Sequence, residues 1–270
     1  MDLSFVILSW NSKDHLERCL ASIEKQLPDQ DWQYEIFVVD NGSTDGSAQW
    51  LKSQEKQKPS TVKPIYLAHN TGTTYSRNRA LKLCEGEYII VLDSDVELHS
   101  ETVPILKTVI ESEDGVGMVV PKLLYGSGQL QKSTDEFPTL IRKLERLFFL
   151  KSIEDREAAA VPVNDNVYVD YAISAFWMFS KRVLDEVGLL DEKIFYAPED
   201  VDYCIRVWKS GFKIVYVPRA VATHYAQEIS RGFKLNKAKI EHVKGLIYYF
   251  IKHRYFLRKP SLSSFSNTGS

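Results

Sequence analysis

Asp93 and Asp95, one residue apart, close the apolar run Tyr88-Ile89-Ile90-Val91-Leu92. Two carboxylates so close raise one another's pKa, and a cation relieves the repulsion. Oxygen ligands suit Mg2+ or Mn2+, ions that in turn bridge a diphosphate. An ordinary acidic turn after a strand is the plainer account. Another acid, Asp40, ends the run Ile36-Phe37-Val38-Val39 and opens Asp40-Asn41-Gly42-Ser43-Thr44-Asp45. Asn-Gly supplies the positive φ of a tight turn, Ser43 or Thr44 can cap the helix that follows, and Asp40 can accept hydrogen bonds from a base or ribose.

Three further clusters carry polar chemistry. In Asn70-Thr71-Gly72-Thr73-Thr74-Tyr75-Ser76-Arg77-Asn78-Arg79-Ala80 a glycine turn runs into a helix bearing Arg77 and Arg79. Helix N-termini and arginines both favour phosphate oxygens, although a capped helix with solvated arginines explains the same residues. In Pro198-Glu199-Asp200-Val201-Asp202 three acids crowd the first turn of a helix that ends at Gly211. The helix dipole accounts for acids there, and Asp202 can pair with Arg206 at i,i+4. That leaves Glu199 and Asp200 to face a cleft, where an ionised carboxylate can take a proton from a hydroxyl. His224 follows a Pro218-Arg219 turn after the last strand and gains weight only if it meets Asp95.

The elements around these residues alternate. Phe5–Leu8, Ile36–Val39, Ile65–Leu67 and Tyr88–Leu92 read as buried strands. Between them lie a helix capped by Ser12 with the stripe Leu16, Leu20, Ile23 and Leu27, one with Trp50 and Leu51, and one with Ala80, Leu81 and Cys84. Buried strands alternating with amphipathic helices predict a mostly parallel sheet covered on both faces. Asn11, Asp40 and Asp93 all follow strand C-termini, where such sheets bind ligands. Residues 125 to 165 read as a large excursion on the acceptor side of the cleft, and strands return at Val167–Val169 and Ile214–Val217.

The 270 residues carry 34 Lys and Arg against 36 Asp and Glu, so the net charge of −2 excludes a nucleic-acid protein working through bulk positive charge. Absence of G-x-G-x-x-G and of G-x-x-x-x-G-K-[ST] argues against Rossmann dehydrogenases and P-loop NTPases. Cys19, Cys84 and Cys204 have no metal-type spacing; Cys19 and Cys204 read as small buried hydrophobes, which favours a reducing compartment. With neither a basic signal segment nor an apolar run of about 20 residues, the expected location is the cytoplasm.

Taken in order, Phe5–Asn11, Asp40–Asp45, Asn70–Ala80, Asp93-Ser94-Asp95, Pro198–Asp202 and His224 resemble the family 2 glycosyltransferases of the GT-A fold. The likeness covers about residues 1 to 225 and is nearest to the bacterial rhamnosyltransferase-like branch, which Val187–Glu192 before Phe195 also resembles. It implies a GT-A domain over 1–225, and composition adds a basic helical segment over 226–260 and a disordered Ser-rich tail over 261–270. It also implies roles for individual residues. Asp40 would contact the base, with Ser9-Trp10-Asn11 as one wall, Asn70 and Arg77 on the donor side and Arg77 neutralising the diphosphate. Asp93 would lie near ribose and metal, Asp95 would ligate Mn2+ or Mg2+, and His224 would complete metal or diphosphate binding. Asp200 matches the catalytic base of a single inverting displacement, and Glu199 would help place sugar or acceptor. Thr73-Thr74-Tyr75 departs from the small, glycine-rich stretch usual in the family, which leaves the donor sugar open. A UDP- or dTDP-sugar donor and a glycan or lipid-linked acceptor are the implied partners, in cell-surface polysaccharide synthesis.

Residues 231–260 hold nine Lys/Arg against the single acid Glu241, a local charge of +8 in a chain of −2, so the remainder carries −10. Aromatic and aliphatic residues interleave there, which suits either peripheral contact with the inner face of a membrane or packing on the domain with the basic face solvated. Two rival functions remain at this stage. A sugar-1-phosphate nucleotidyltransferase would need a Gly-rich, Arg-containing N-terminal loop that Ser9–Ser12 does not supply. A noncatalytic nucleotide-sugar or glycan-binding protein would bind donor without turnover.

Overall fold

A computed structural model describes residues 1–26, 31–139, 165–226 and 237–260. Its strands are β1 (Leu3–Ser9), β2 (Tyr34–Asp40), β3 (Val62–Tyr66), β4 (Tyr88–Asp93), β5 (Val96–Leu98), β6 (Val116–Tyr125), β7 (Leu130–Gln131), β8 (Thr134–Asp135), β9 (Val167–Tyr168), β10 (Tyr171–Ala172), β11 (Phe176–Ser180) and β12 (Lys213–His224). The helices are α1 (Lys13–Glu24), α2 (Ser47–Gln57), α3 (Thr73–Leu81), α4 (Thr102–Ser112), α5 (Lys181–Val187), α6 (Glu199–Lys209) and α7 (Lys237–His253).

The central sheet runs β3-β2-β1-β4-β11-β6-β12-β5. Pairing is parallel across β3, β2, β1 and β4 and again between β6 and β12, whereas β11 and the short edge strand β5 run antiparallel to their neighbours. Alternation along each strand sends side chains to opposite faces. Phe5 and Ile7 thus join a core with Leu16, Cys19, Leu20 and Ile23 of α1 and Leu106 of α4. Val6, between them, joins a second core with Ala80 of α3, Ile205 of α6 and Tyr249 and Phe250 of α7. Both faces are covered, and burying each such aliphatic side chain stabilises the fold by about 1.5–3 kcal/mol.

Several expectations need correction. Ser12 precedes α1 but does not cap it through its side chain: its hydroxyl is turned to Ser9 and Ser94, and Asp45 takes the Lys13 N–H at 3.0 Å instead. Neither Ser43 nor Thr44 caps α2, which starts after Gly46 with Asp45 accepting from Ser47. Cys84 lies just past the end of α3, and all three cysteines are buried and free. No turn separates His224 from its strand, since β12 continues through Pro218-Arg219 with a register shift between Val217 and Val221. Proline has no N–H for the ladder, so an irregularity falls there. Within the expected excursion, 125–139 contains β7 and β8, while 140–164 lie outside the described residues, as do Leu27 and the tail 261–270.

Candidate active site

Three strand ends meet where the sequence placed its acids. The N–H of Asn41 donates to Ser9 O at 2.8 Å, and that of Ser94 to Leu8 O at 3.1 Å, which fixes the ends of β2 and β4 to β1. The Ser94 hydroxyl pairs with that of Ser12 at 2.6 Å, so Asp93 and Asp95 are held on a bonded turn. His224 arrives by a different route. Antiparallel pairing of β12 with β5 sets it opposite Val96, and the Tyr225 N–H donates to Asp95 O at 2.9 Å.

The result is a compact donor set. Asp93, Asp95 and His224 each present a ligand atom, all within 4.8 Å of one another. His224 Nε2 lies 3.3 Å from Asp95 Oδ1, while its Nδ1 faces Gln131 Oε1 at 2.9 Å. An amide oxygen only accepts, so Nδ1 donates to Gln131; the neutral ring then offers its Nε2 lone pair to an ion, and the protonated ring donates from Nε2 to Asp95. Burial opposes protonation of His224, but the hydrogen bond and charge of Asp95, aided by Asp93, raise its pKa on balance. Burial pushes the Asp93 carboxyl up as well; Arg77 offsets part of this and the charge of Asp95 adds to it. Two carboxylates and one imidazole form a set that fits a divalent ion such as Mn2+ or Mg2+.

Below the cluster lies Arg77, fully buried on α3. Its Nη2 meets Asp93 Oδ1 at 2.5 Å and Ser174 O at 3.0 Å, and its Nη1 lies 3.8 Å from Glu199. Two acids of the site, Asp93 and Glu199, thus stand beside its charge. Glu199 is buried too, accepts from the Ser174 hydroxyl at 2.8 Å, and is pushed up to about 8 by burial and the neighbouring Asp200. Asp200 stands half-buried in the first turn of α6, where its Oδ1 accepts the Val201 N–H at 2.8 Å. A helix N-terminus favours the ionised form of such a carboxylate.

These groups line one open cavity of about 480 Å³, together with Trp10, Thr73, Gln131, Ser174 and Tyr196. That size suits a small-molecule site. Asp93, Asp95, His224, Arg77, Glu199 and Asp200 all border it. Four expected donor residues do not. Ser9 is fully buried, bonded to Ser12 at 3.1 Å, and backs the wall that Trp10 forms. Asn11, at φ 49°, accepts the Thr44 N–H at 2.7 Å and donates its own N–H to Ser43, latching the two loops. Asn70 accepts from Asn41 at 3.1 Å and from Gly72 N at 3.0 Å, shaping the entry to α3. Asp40 is buried with its Oδ1 lacking a partner among the described residues.

Gln131, Ser174 and Tyr196 escaped the sequence reading. Gln131 ends the two-residue strand β7 and Ser174 lies between β10 and β11, with no motif to mark either. Tyr196 adjoins the acidic turn and was legible only as its neighbour. Thr73 was flagged as a departure, and it lines the cavity; Thr74 turns away and donates to Ile194 O at 2.7 Å. Gly72 has φ 84°, and a Cβ there would collide with the Phe195 carbonyl, so only glycine lets α3 start against this loop.

The sequence profile described as "Glycosyl transferase family 2" matches residues 4–188. The chain belongs to this family. It is 28% identical over 247 residues to the uncharacterized glycosyltransferase YfnE of Bacillus subtilis, covering 78% of this chain and 61% of YfnE. To the N-acetylglucosaminyl-diphospho-decaprenol L-rhamnosyltransferase of Mycobacterium tuberculosis it is 24% identical over 280 residues, covering 96% of this chain and 87% of that protein. Among solved structures, GalNAc-T7 with UDP, GalNAc and Mn2+ superposes with a TM-score of 0.69 at 17% identity, over 93% of this chain and 48% of the other. The fold is thus GT-A, and the chain spans about three fifths of the length of YfnE.

Proposed function

We propose that this chain is an inverting, divalent-metal-dependent glycosyltransferase, moving a sugar from a nucleotide-diphosphate donor to a hydroxyl of a glycan or lipid-linked acceptor. The observation that carries the reading is the cluster of Asp93, Asp95 and His224 lining one cavity with Asp200. Asp93, Asp95 and His224 would hold Mn2+ or Mg2+. Such an ion, when bound, supplies Lewis-acid stabilisation of a leaving diphosphate. Support comes from the Mn2+ and UDP in the GalNAc-T7 structure and from the rhamnosyltransferase relative.

In this mechanism Asp200 accepts the proton of the acceptor hydroxyl as its oxygen bonds to the anomeric carbon. The bond from that carbon to the donor phosphate oxygen breaks in the same step, so configuration inverts. A carboxylate base of this kind contributes about 10²–10⁴-fold. Arg77 favours the ionised form of Asp93 against burial, and Gln131 orients the His224 ring. Glu199, bonded to Ser174, fixes the wall beside the base. Asp40, buried behind the cavity with an unpartnered Oδ1, is the residue assigned to the nucleobase, for which UDP or dTDP is the expected carrier.

We place the reaction in cell-surface polysaccharide synthesis at the cytoplasmic face of the membrane, with peripheral contact through 231–260 and the GT-A unit over 1–225. Asp200→Asn should abolish sugar transfer, by at least about 10², and leave nucleotide affinity nearly unchanged. Retained turnover in that variant would sink the base assignment. Donor binding by the native chain without transfer to any acceptor would instead favour a noncatalytic binding protein.

A further inference from the structure

Helix α7 carries apolar residues on its outer side as well as its inner one. A helix that covers a globular body ordinarily turns apolar residues inward and charges to water. Here Tyr249 and Phe250 do pack inward, but charges point in beside them: Lys252 reaches Asp191 at 2.7 Å and Asp202 at 2.6 Å, and His253 reaches Asp202 at 2.8 Å. The Tyr248 hydroxyl donates to Asp191 at 2.9 Å. Gly245 lies against the Ala197 carbonyl so closely that no Cβ fits. Facing out are Val243, Ile247 and Ile251, spaced by four and 55%, 57% and 63% exposed. That spacing makes one stripe along the helix, and the chain beyond prolongs it with exposed Phe256 and Leu257. Lys244, Arg254 and Arg258 are exposed beside it.

We propose that this outer face docks on an anionic lipid bilayer, which names the surface and the lipid chemistry of the peripheral contact put forward above. Val243, Ile247, Ile251, Phe256 and Leu257 enter the boundary between headgroups and acyl chains, and the Lys and Arg residues sit at phosphate level. Apolar area combined with attraction to anionic headgroups is what holds an interfacial helix. Charge decides against a second copy of the chain as occupant. Lys244, Arg254 and Arg258 are exposed on this face against the one acid Glu241, so two such faces would repel, whereas an anionic surface attracts each. No helix among the described residues is long and apolar enough to cross a membrane, so the contact lies on the surface. Because Gly245 packs on Ala197, the docked face is one helix away from Glu199 and Asp200.

The test sediments the full chain with vesicles of phosphatidylglycerol and phosphatidylethanolamine, and with vesicles of phosphatidylcholine alone. Binding is expected to the first, to fall sharply in 1 M salt, and to be weak with the second. Ile247→Asp and Ile251→Asp should each weaken it about tenfold or more, as loss of one buried side chain implies, with unchanged melting temperature because both sites are exposed. Absence of binding to the anionic vesicles, or equal binding by the variants, overturns the proposal. So does a dimer in equilibrium sedimentation that Ile247→Asp dissolves. Nucleotide-induced thermal shifts, read separately on the same variants, report on the catalytic reading alone: docking without nucleotide binding refutes that reading and leaves this one standing.

Discussion

At the scale of single residues the site turns on Arg77, whose guanidinium is buried between Asp93 and Glu199. Removing it leaves Asp93 without its cation, and breaking a buried ion pair in this way costs about 3–5 kcal/mol. Arg77→Met should therefore lower stability on that order in urea titrations and weaken metal affinity as Asp93 takes up a proton. Glu199 gives a pH test with a definite sign. Its carboxyl is pushed up to about 8, first by burial and then by Asp200, from an ordinary value near 4.3. The folded state thus binds the proton more tightly than the unfolded one. The stability this contributes is full below about pH 4 and is lost as pH rises through about 8. Melting temperature of the native chain should fall relative to Glu199→Gln between pH 5 and pH 9; parallel curves would contradict the assignment. Asp93-Ser94-Asp95 was legible from its place after a buried strand, because a carboxylate pair has few structural uses there. Ser174 and Gln131 were not, since their importance lies in what they touch, and contacts of |i−j| 25 and 93 leave no local pattern.

Among the elements, α6 is the one on which the proposed base rides, and α7 is bolted to it. Asp202 accepts from Arg206 at 3.0 Å on its own helix and meets Lys252 and His253 of α7. His253 donates from Nε2 to Asp202 while Nδ1 faces Lys209 Nζ at 3.0 Å, an arrangement that needs the neutral ring. Burial lowers its pKa accordingly, against the pull of Asp202. Burial would likewise raise Asp202, yet the His253 hydrogen bond, Arg206 and Lys252 outweigh it and hold the carboxyl down at about 2. Its unfolded value is about 3.9, so this stabilisation is complete above that pH and is lost as pH falls toward about 2. Asp202→Ala should cost about 3 kcal/mol in denaturant titrations at pH 7, because two cations lose their partner. A loss below about 0.5 kcal/mol would show that α7 is held by its apolar side alone. The pairing of Asp202 with Arg206 was visible in the i,i+4 spacing; the bolt to α7 was not, because no periodicity links positions fifty residues apart. Likewise β5, of three residues, is too short to announce itself, yet its pairing with β12 is what carries His224 to Asp95.

Across the whole molecule, two cores divide the work. One packs α1, α2 and α4 behind the sheet, and the other packs α3, α5, α6 and α7 on the face that supplies Arg77, Glu199 and Asp200. The parallel half of this plan follows from alternating apolar runs and amphipathic helices. The antiparallel insertion of β11 does not, because Phe176–Phe179 is a continuous apolar run that fits strand or buried helix equally. At this scale the central claim is that one cavity binds a nucleotide diphosphate through a divalent ion held by Asp93, Asp95 and His224. The direct measurement is the melting temperature of the native chain and of Asp95→Ala with UDP, dTDP and GDP, each with and without Mn2+. At 100 times Kd a ligand adds about 2.7 kcal/mol, a rise of several degrees at this size. The account predicts that one nucleotide raises the melting temperature of the native chain only with Mn2+, and that Asp95→Ala loses the rise. A shift that ignores both Mn2+ and Asp95, or no shift with any nucleotide, would contradict it.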